Sequence, residues 1–167
     1  MEVIFSSPEE KTKIMWSFSK ILNNNFLLTL STANKNHPFS STAFYVFDKQ
    51  FNLYIWTGKD TLHSKNIDLN QKIAINIYNS KQIWGSDLNG LQALGIASVT
   101  GAKDLLMAGA LYLKRYPKAY KFAKNPKDFH SKALESRIYK IQLNKIKIFD
   151  EKAFGKEGFR EIFIKRK

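Results

Sequence analysis

The stretch TGKDTLHSK at residues 57–65 carries hydroxyl, imidazole and amine side chains close together in the sequence. These side chains are Thr57, Thr61, His63, Ser64 and Lys65. A strand is predicted to end at residue 57, and a short helix capped by Asp60 or Thr61 is predicted to run through Leu69. The exposed N–H groups and positive dipole end of a helix start favour phosphate, to which hydroxyls add directional bonds and lysine adds charge. The alternative interpretation is that these residues only cap the helix.

Other sources of chemistry are scarce in the sequence. The chain has no cysteine, which excludes disulfides, thiolate metal sites and cysteine nucleophiles. Its three histidines, His37, His63 and His130, are not spaced as metal ligands, so we predict no zinc site. No Gly-x-Ser-x-Gly elbow, Walker loop or Gly-x-Gly-x-x-Gly fingerprint occurs. A bound cofactor is therefore the expected source of chemistry.

The elements that must position these groups are mostly strands. Ser7 and Pro8 open a predicted helix through about residue 23, with an apolar face at i, i+4, i+7 and i+8. Pro117 divides a second helical region that runs from residue 102 to about 124. Gly95 and Gly101 predict a bulge or a close backbone approach. A short apolar run with β-favouring residues lies at 26–30. Strands are predicted at 39–47, 52–57, 73–78, 91–100, 136–143 and 145–149, with 159–164 as a candidate last strand, and 39–47 and 52–57 are predicted to form a hairpin.

This order of elements predicts a mainly β fold with helices (α+β class), a six- to seven-stranded antiparallel barrel. We expect one domain over residues 1–167, with an N-terminal helix at about 8–23 and a helical insertion at about 102–132. No apolar run is long enough for a membrane-spanning helix, and no secretory signal is visible. A cytoplasmic protein without membrane association is therefore expected.

The formal net charge is +13, and it is concentrated in the second half of the chain. Residues 1–80 have a net charge of +2 and residues 81–167 a net charge of +11. The basic stretch, residues 114–132, contains Lys114, Arg115, Lys118, Lys121, Lys124, Lys127 and Lys132, with Asp128 as its one acid. The aromatic residues in or next to it are Tyr112, Tyr116, Tyr120, Phe122 and Phe129. This pattern can indicate nucleic-acid binding, but the interpretation we favour is a buried aromatic face with solvated lysines.

The order of several segments resembles a known family. SSTAFYVFD, NLYIWTG, KDTLHSKNI, KIAINIYN and GLQALGIASVTG follow one another as in the pyridoxamine 5′-phosphate oxidase-like FMN-binding split barrels. More narrowly, AFYVFD, LYIWTGKDTLH, IYKIQLNKIKIFD and AFGK resemble the YhbP-like branch of that superfamily. The resemblance covers roughly residues 15–165 and implies an FMN-binding split barrel that forms a homodimer, with FMN in the cleft between the subunits.

The resemblance also implies a set of cofactor-binding residues. They are Ser41, Thr42, Ala43 and Phe44 on one strand, Trp56 and Thr57 on the next, Thr61, His63 and Lys65 at the helix start, and Gln92 on a central strand. The family's phosphate motif is Ser/Thr-Arg-Lys, whereas this chain has Thr61-Leu62-His63. Leu62 removes a bidentate phosphate contact, and His63 is expected to act as the second cation, more so when protonated. Trp56 has a second interpretation, as a residue of the barrel core.

The function implied by the resemblance is that of an FMN-dependent oxidoreductase or flavin reductase of unknown substrate. No general acid or base can be identified, and the substrate-binding ending of the full oxidase is not matched. One alternative is a split barrel that binds another cofactor, such as heme or a deazaflavin. The other is a nucleic-acid-binding module that uses the basic stretch.

Overall fold

The computed structural model describes residues 8–130, 135–156 and 158–164. Its helices and strands are, in chain order, α1 (Pro8–Asn24), β1 (Leu27–Asn34), β2 (His37–Phe47), β3 (Leu53–Gly58), α2 (Leu62–Leu69), β4 (Lys72–Tyr78), β5 (Asn89–Val99), α3 (Ala102–Arg115), the first 3-10 helix (Pro117–Lys121), the second 3-10 helix (Pro126–His130), β6 (Ser136–Asp150), α4 (Glu151–Phe154) and β7 (Phe159–Phe163). This content confirms the predicted α+β class.

The strands form one antiparallel sheet that closes on itself. Their order is β3-β2-β1-β4-β5-β6-β7, and β3 also pairs with β6, so that six strands make a ring. The first half of β6 pairs with β3, and its second half pairs with β7. The predicted hairpin is present as β2 and β3, and a turn between Asn34 and His37 joins β1 to β2.

The long strand β6 differs from the prediction of two strands at 136–143 and 145–149. β6 is continuous from Ser136 to Asp150 and pairs with β5 along most of its length. Asn144 is the extra residue of a bulge, because Gly95 is opposite Leu143 while Leu94 is opposite Lys145. A Cβ atom on Gly95 would lie 2.5 Å from the Gln142 carbonyl oxygen, which confirms the predicted close approach there. The same prediction for Gly101 was wrong, because nothing among the described residues lies within 4 Å of a Cβ atom at that position. The two-strand prediction was wrong because a bulge interrupts the alternation without ending the strand.

The protein has two apolar cores, one inside the ring of strands and one on its outer surface. The inner core fills the ring with side chains such as Leu30, Ile55 and Ile141, and α1 closes it with Phe18 and Ile21. The helix α1 matches the predicted helix at about 8–23, although its expected cap, Ser7, lies outside the described residues. The outer core packs α3 and the second 3-10 helix against the outside of β2, β3 and β6.

In the helical region after β5, the helix α3 ends where the sequence predicts a break. The helix α3 stops at Arg115, and Pro117 begins the first 3-10 helix. Of the aromatic side chains in this region, Tyr112 and Phe129 are buried, whereas Tyr120 and Phe122 are 54% and 64% exposed. The favoured interpretation of a buried aromatic face therefore holds for only part of the basic stretch. Residues 131 and 132, at the end of the expected insertion, lie outside the described residues.

Candidate functional site

β2 and β3 separate from one another near the middle of β3, and only the last three residues of β2 pair with it. The two strands pair over three positions only, from Phe47–Leu53 to Tyr45–Ile55. Beyond that point β2 continues along β1 and β3 continues along β6. The separation opens a gap in the wall of the ring on the side covered by α3 and the first 3-10 helix. We call this gap the split.

A cavity of about 680 Å³ lies at the split. Its lining residues are Leu27, Thr42, Ala43, Phe44, Trp56, Thr57, His63, Tyr112, Arg115, Tyr116, Pro117, Lys118, Ala119 and Phe122. Most of these side chains are apolar or aromatic, and the polar groups are few, as is usual for small-molecule sites. Six of the residues implied by the resemblance line this split cavity: Thr42, Ala43, Phe44, Trp56, Thr57 and His63.

The polar end of the split cavity is built by the loop from β3 to α2. His63 Nε2 lies 2.7 Å from Thr57 Oγ1 and 3.0 Å from Thr61 Oγ1. Thr61 is also the N-cap of α2, because its hydroxyl accepts a bond from the Ser64 N–H. The Ser64 hydroxyl donates to the Gly58 carbonyl, which fixes the loop. The structure therefore confirms the capping interpretation, and Thr57 and His63 also line the split cavity.

Burial sets the charge of the imidazole at this end. His63 is partly buried, and loss of solvation lowers its pKa below the ordinary value. The neutral ring is therefore favoured at neutral pH, which opposes the cationic role expected from the sequence. A neutral imidazole still offers one donor and one acceptor nitrogen to a ligand.

The remaining residues implied by the resemblance occupy other positions. Lys65 is exposed on α2, and Leu62 is 52% exposed, and neither lines the split cavity. Ser41 faces the interior of the ring, and its hydroxyl is buried without a hydrogen-bond partner in the described part of the chain. Gln92 is exposed on β5, where it pairs with Asn76 and Lys147, and β1 and β4 separate it from β2. The structure therefore does not bring Gln92 together with the other residues.

Trp56 combines both interpretations given to it. Its ring packs edge-on against Tyr112 and Phe129 in the outer core, while part of the side chain lines the split cavity. Its indole N–H donates to the Ser136 hydroxyl at 2.7 Å. Phe44 and Tyr45 lie on opposite sides of β2: Phe44 is 57% exposed and lines the cavity, whereas Tyr45 is buried inside the ring.

The wall formed by α3 and the first 3-10 helix was not identified from the sequence. It contributes Tyr112, Arg115, Tyr116, Lys118 and Phe122 to the lining. The mixture of aromatic and basic residues in this region was visible in the sequence, but it was interpreted as a buried aromatic face with solvated lysines or, alternatively, as a nucleic-acid-binding surface. Only the packing of α3 over the split shows that these residues face the same cavity as Thr57 and His63.

Arg115 is held in place by the end of α1. Its guanidinium donates to the carbonyl oxygens of Leu22 at 2.8 Å and Asn25 at 2.6 Å. The rings of Phe26, Tyr45, Phe47 and Tyr116 surround it at centroid distances of 5.1 to 5.9 Å. A cation in this position satisfies the last carbonyls of α1 and complements the helix dipole. Arg115 is therefore a fixed positive charge in the cavity wall, unlike the exposed lysines of the basic stretch.

Comparisons with known proteins identify related folds. No protein-family model matches the sequence. A UPF0306 protein of Pasteurella multocida is 31% identical over 96 residues, which cover 57% of this chain and 64% of that protein. A heme-binding protein from Mycobacterium smegmatis superposes with a TM-score of 0.70 at 14% identity, over 96% of this chain and 60% of the other. A candidate pyridoxamine 5′-phosphate oxidase from Listeria innocua superposes with a TM-score of 0.63 at 15% identity, over 81% of this chain and 97% of the other.

The matched regions thus span less than two thirds of the Pasteurella and Mycobacterium proteins. At 14% and 15% identity, the structural matches establish the fold of this chain. In the part of the chain that the structure describes, no three histidine or carboxylate side chains come together as metal ligands. No helix among the described residues is long and apolar enough to cross a membrane.

Proposed function

We propose that this chain, which has the fold of the pyridoxamine 5′-phosphate oxidase-like split-barrel superfamily and fits its YhbP-like branch, binds FMN in the split cavity. It would act as an FMN-dependent oxidoreductase or flavin reductase. The observation that carries this proposal is the combination of one apolar cavity with a hydroxyl and imidazole cluster at its end. When bound, FMN supplies redox chemistry through its isoalloxazine ring, which can accept a hydride.

The residues present fit the two halves of FMN. The apolar and aromatic wall, including Phe44 and Trp56, suits a planar ring system, and about 680 Å³ lies within the range of cofactor sites. Thr57, Thr61 and His63 suit the phosphate because they offer hydrogen bonds beside the first turn of α2. Leu62 replaces the expected arginine, so phosphate binding would depend on these neutral groups and the helix end more than on charge.

The contribution of the protein to catalysis would be position and electrostatics. The fixed guanidinium of Arg115 gives the cavity wall a positive charge, and such a charge favours an anionic reduced ring. The apolar side chains exclude water from the same space. The described residues give no general acid or base a clear position at the cavity, so the substrate is assigned only as a hydride donor.

A homodimer is part of this proposal. Several apolar side chains at the rim of the split cavity are about half exposed, namely Phe26, Leu27, Phe44 and Phe122. A cluster of this kind on one face is typical of an interaction surface. A second copy placed over this rim would cover these side chains and close the cavity over the cofactor.

Heme binding is the second candidate function. It is favoured by the apolar lining of the cavity and by the superposition on a heme-binding protein from Mycobacterium smegmatis. The two candidates differ at the polar end, because hydroxyl groups beside a helix start suit a phosphate, whereas heme requires a site for its iron and its propionates.

The test is titration of the purified full chain with FMN, riboflavin and hemin, followed by absorption spectroscopy. We expect bound FMN to show flavin absorption bands at about 370 and 450 nm, and these bands should disappear on reduction. FMN should bind at least about tenfold more tightly than riboflavin if Thr57, Thr61 and His63 hold the phosphate. Binding of hemin without FMN would support the second candidate, and binding of none of the three would overturn both.

A further inference from the structure

The split is spanned by a side chain that belongs to neither strand. The Tyr112 hydroxyl, from α3, accepts a hydrogen bond from the Trp56 N–H at 2.9 Å. It lies 2.8 Å from the Phe44 carbonyl oxygen and 3.1 Å from that of Tyr54, both of which can accept its proton. One hydroxyl therefore connects the backbone of β2 to the backbone of β3 at the point where the strands separate.

The position of this bridge follows from the register of the two strands. The last pair is Tyr45–Ile55, so Phe44 and Trp56 are the residues that would face one another next. The Tyr112 hydroxyl stands between these two residues and satisfies a backbone donor on one and a backbone acceptor on the other. An intact β2–β3 ladder would leave no room for it, and a gap without it would leave buried backbone groups unpaired.

Tyr112 is held rigidly enough to act as a spacer. Its side chain is buried, and its ring packs on Tyr116 and Phe129 at centroid distances of 5.6 and 5.5 Å. One turn earlier, Gly109 lets α3 approach the Pro126 backbone closely, since a Cβ atom there would lie 2.5 Å from the Pro126 carbonyl oxygen. Burial also raises the pKa of the Tyr112 hydroxyl, so it remains a protonated donor.

We propose that Tyr112 is a positioning residue that holds β2 and β3 apart and thereby keeps the split cavity open for its ligand. The residues it positions are Phe44 and Trp56, which line the cavity on opposite sides of the split. The inference rests on the proposed function only for the identity of the ligand, because the bridge itself is independent of what binds.

The first test measures the backbone. Tyr112→Phe removes the hydroxyl and keeps the ring, so residues 44 and 56 should move together and give a cross-strand nuclear Overhauser effect that the unmodified protein lacks. The control is Tyr54→Phe, which removes a buried hydroxyl bonded to Asp48 at 2.9 Å in the same outer core but away from the cavity lining. An unchanged separation of residues 44 and 56 in Tyr112→Phe would overturn the proposal.

The second test measures FMN binding with the same two variants. Tyr112→Phe should weaken FMN binding about tenfold, while Tyr54→Phe should lower stability without changing the affinity. Equal weakening in both variants would show a general structural effect and contradict the positioning role. Failure of the unmodified protein to bind FMN would contradict the proposed function alone, since the backbone test needs no ligand.

A third measurement covers the case in which Tyr112→Phe does not fold. In the unmodified protein, nuclear Overhauser effects should place the Tyr112 ring protons beside the backbone of both Phe44 and Trp56. Contact with only one of these residues would overturn the bridge.

Discussion

At the scale of single residues, the split cavity joins side chains whose roles depend on their surroundings. His63 was expected to act as a cation, but partial burial lowers its pKa and favours the neutral ring. Thr57 and Thr61 both contact Nε2 of this ring, so a phosphate that bonds to these hydroxyls or to Nε2 would replace some of their internal hydrogen bonds. Binding at this end is therefore a balance between hydrogen bonds of similar strength.

The hydroxyl of Thr57 should contribute to phosphate binding. We expect Thr57→Val to weaken FMN binding about tenfold and to leave riboflavin binding nearly unchanged, because only the phosphate contact is lost. Titration with both ligands checks this result. Thr100→Val is the matched control, since the Thr100 hydroxyl bonds the Ile138 carbonyl and does not line the cavity. Equal weakening of FMN and riboflavin by Thr57→Val would contradict a phosphate seat at this end.

His63 should make the stability of the ligand-free protein depend on pH. Its pKa is lower in the folded state than the ordinary value of about 6.5, so the unfolded state binds more protons in acid. The protein should therefore lose stability relative to His63→Gln as the pH falls below about 6.5, and the difference should be constant above that value. Urea unfolding from pH 8 to pH 5 measures it. His37→Gln, at the exposed start of β2, is the control for the loss of an imidazole. If the stability difference between the unmodified protein and His63→Gln did not change with pH, the prediction would be contradicted.

At the scale of elements, the packing of α3 on the rest of the molecule builds the site. This helix crosses the outside of β2 and β3, and it supplies Tyr112 and Arg115 to the split cavity. Arg115 connects its end to the carbonyls that terminate α1, while Gly109 sets its distance from the second 3-10 helix. The position of α3 is therefore fixed by contacts at its middle and at its C-terminal end.

The close approach at Gly109 should not tolerate a methyl group. Gly109→Ala places a Cβ atom 2.5 Å from the Pro126 carbonyl oxygen, so α3 must shift. We expect a loss of about 1–3 kcal/mol in the free energy of unfolding, although alanine is the better helix former. Gly101→Ala is the control, because nothing lies within 4 Å of a Cβ atom there. Chemical unfolding measures the stability of both variants. If Gly109→Ala were as stable as Gly101→Ala, the close packing of α3 on the second 3-10 helix would be contradicted.

At the scale of the whole molecule, the surface is uneven in both charge and polarity. The second half of the chain carries a net charge of +11, and the lysines at 118, 121, 124 and 127 are exposed on the helical side. The apolar rim of the split cavity is exposed beside these lysines. Trp84, in the loop between β4 and β5, is exposed as well. The proposed homodimer would use the rim and leave that loop outside the contact.

A charge placed on the rim should separate the subunits. We expect Phe44→Asp to convert a dimer into monomers and to weaken FMN binding, because an unpaired carboxylate would be buried in the contact. Sedimentation velocity with and without FMN measures both effects. Trp84→Asp is the control, since this side chain is fully exposed and lies away from the split cavity. A monomeric unmodified protein, or a dimer that Phe44→Asp leaves intact, would contradict the proposed interface.

Several features of the fold and site follow from local sequence. The hairpin of β2 and β3, the start of α2, the close approach at Gly95 and the break at Pro117 were all predicted correctly. The hairpin, the helix start and the break depend on interactions within a few residues: side-chain alternation, a helix cap and a fixed proline ring. The approach at Gly95 is to Gln142 on β6, and the sequence indicated it only through the absence of a Cβ atom. The cluster of Thr57, Thr61 and His63 was found for the same reason, since one loop holds it.

The sequence by itself thus determined the antiparallel α+β class, the cluster before and within α2, and the absence of cysteine chemistry. The tertiary structure decided that α3 covers the split, that Tyr112 spans it, and that Gln92 lies on a strand remote from it. It also decided that Asn144 forms a bulge within β6 rather than a break. These features depend on which distant surfaces are buried together. Local patterns cannot specify them, because an amphipathic helix or an alternating strand can pack against several different partners.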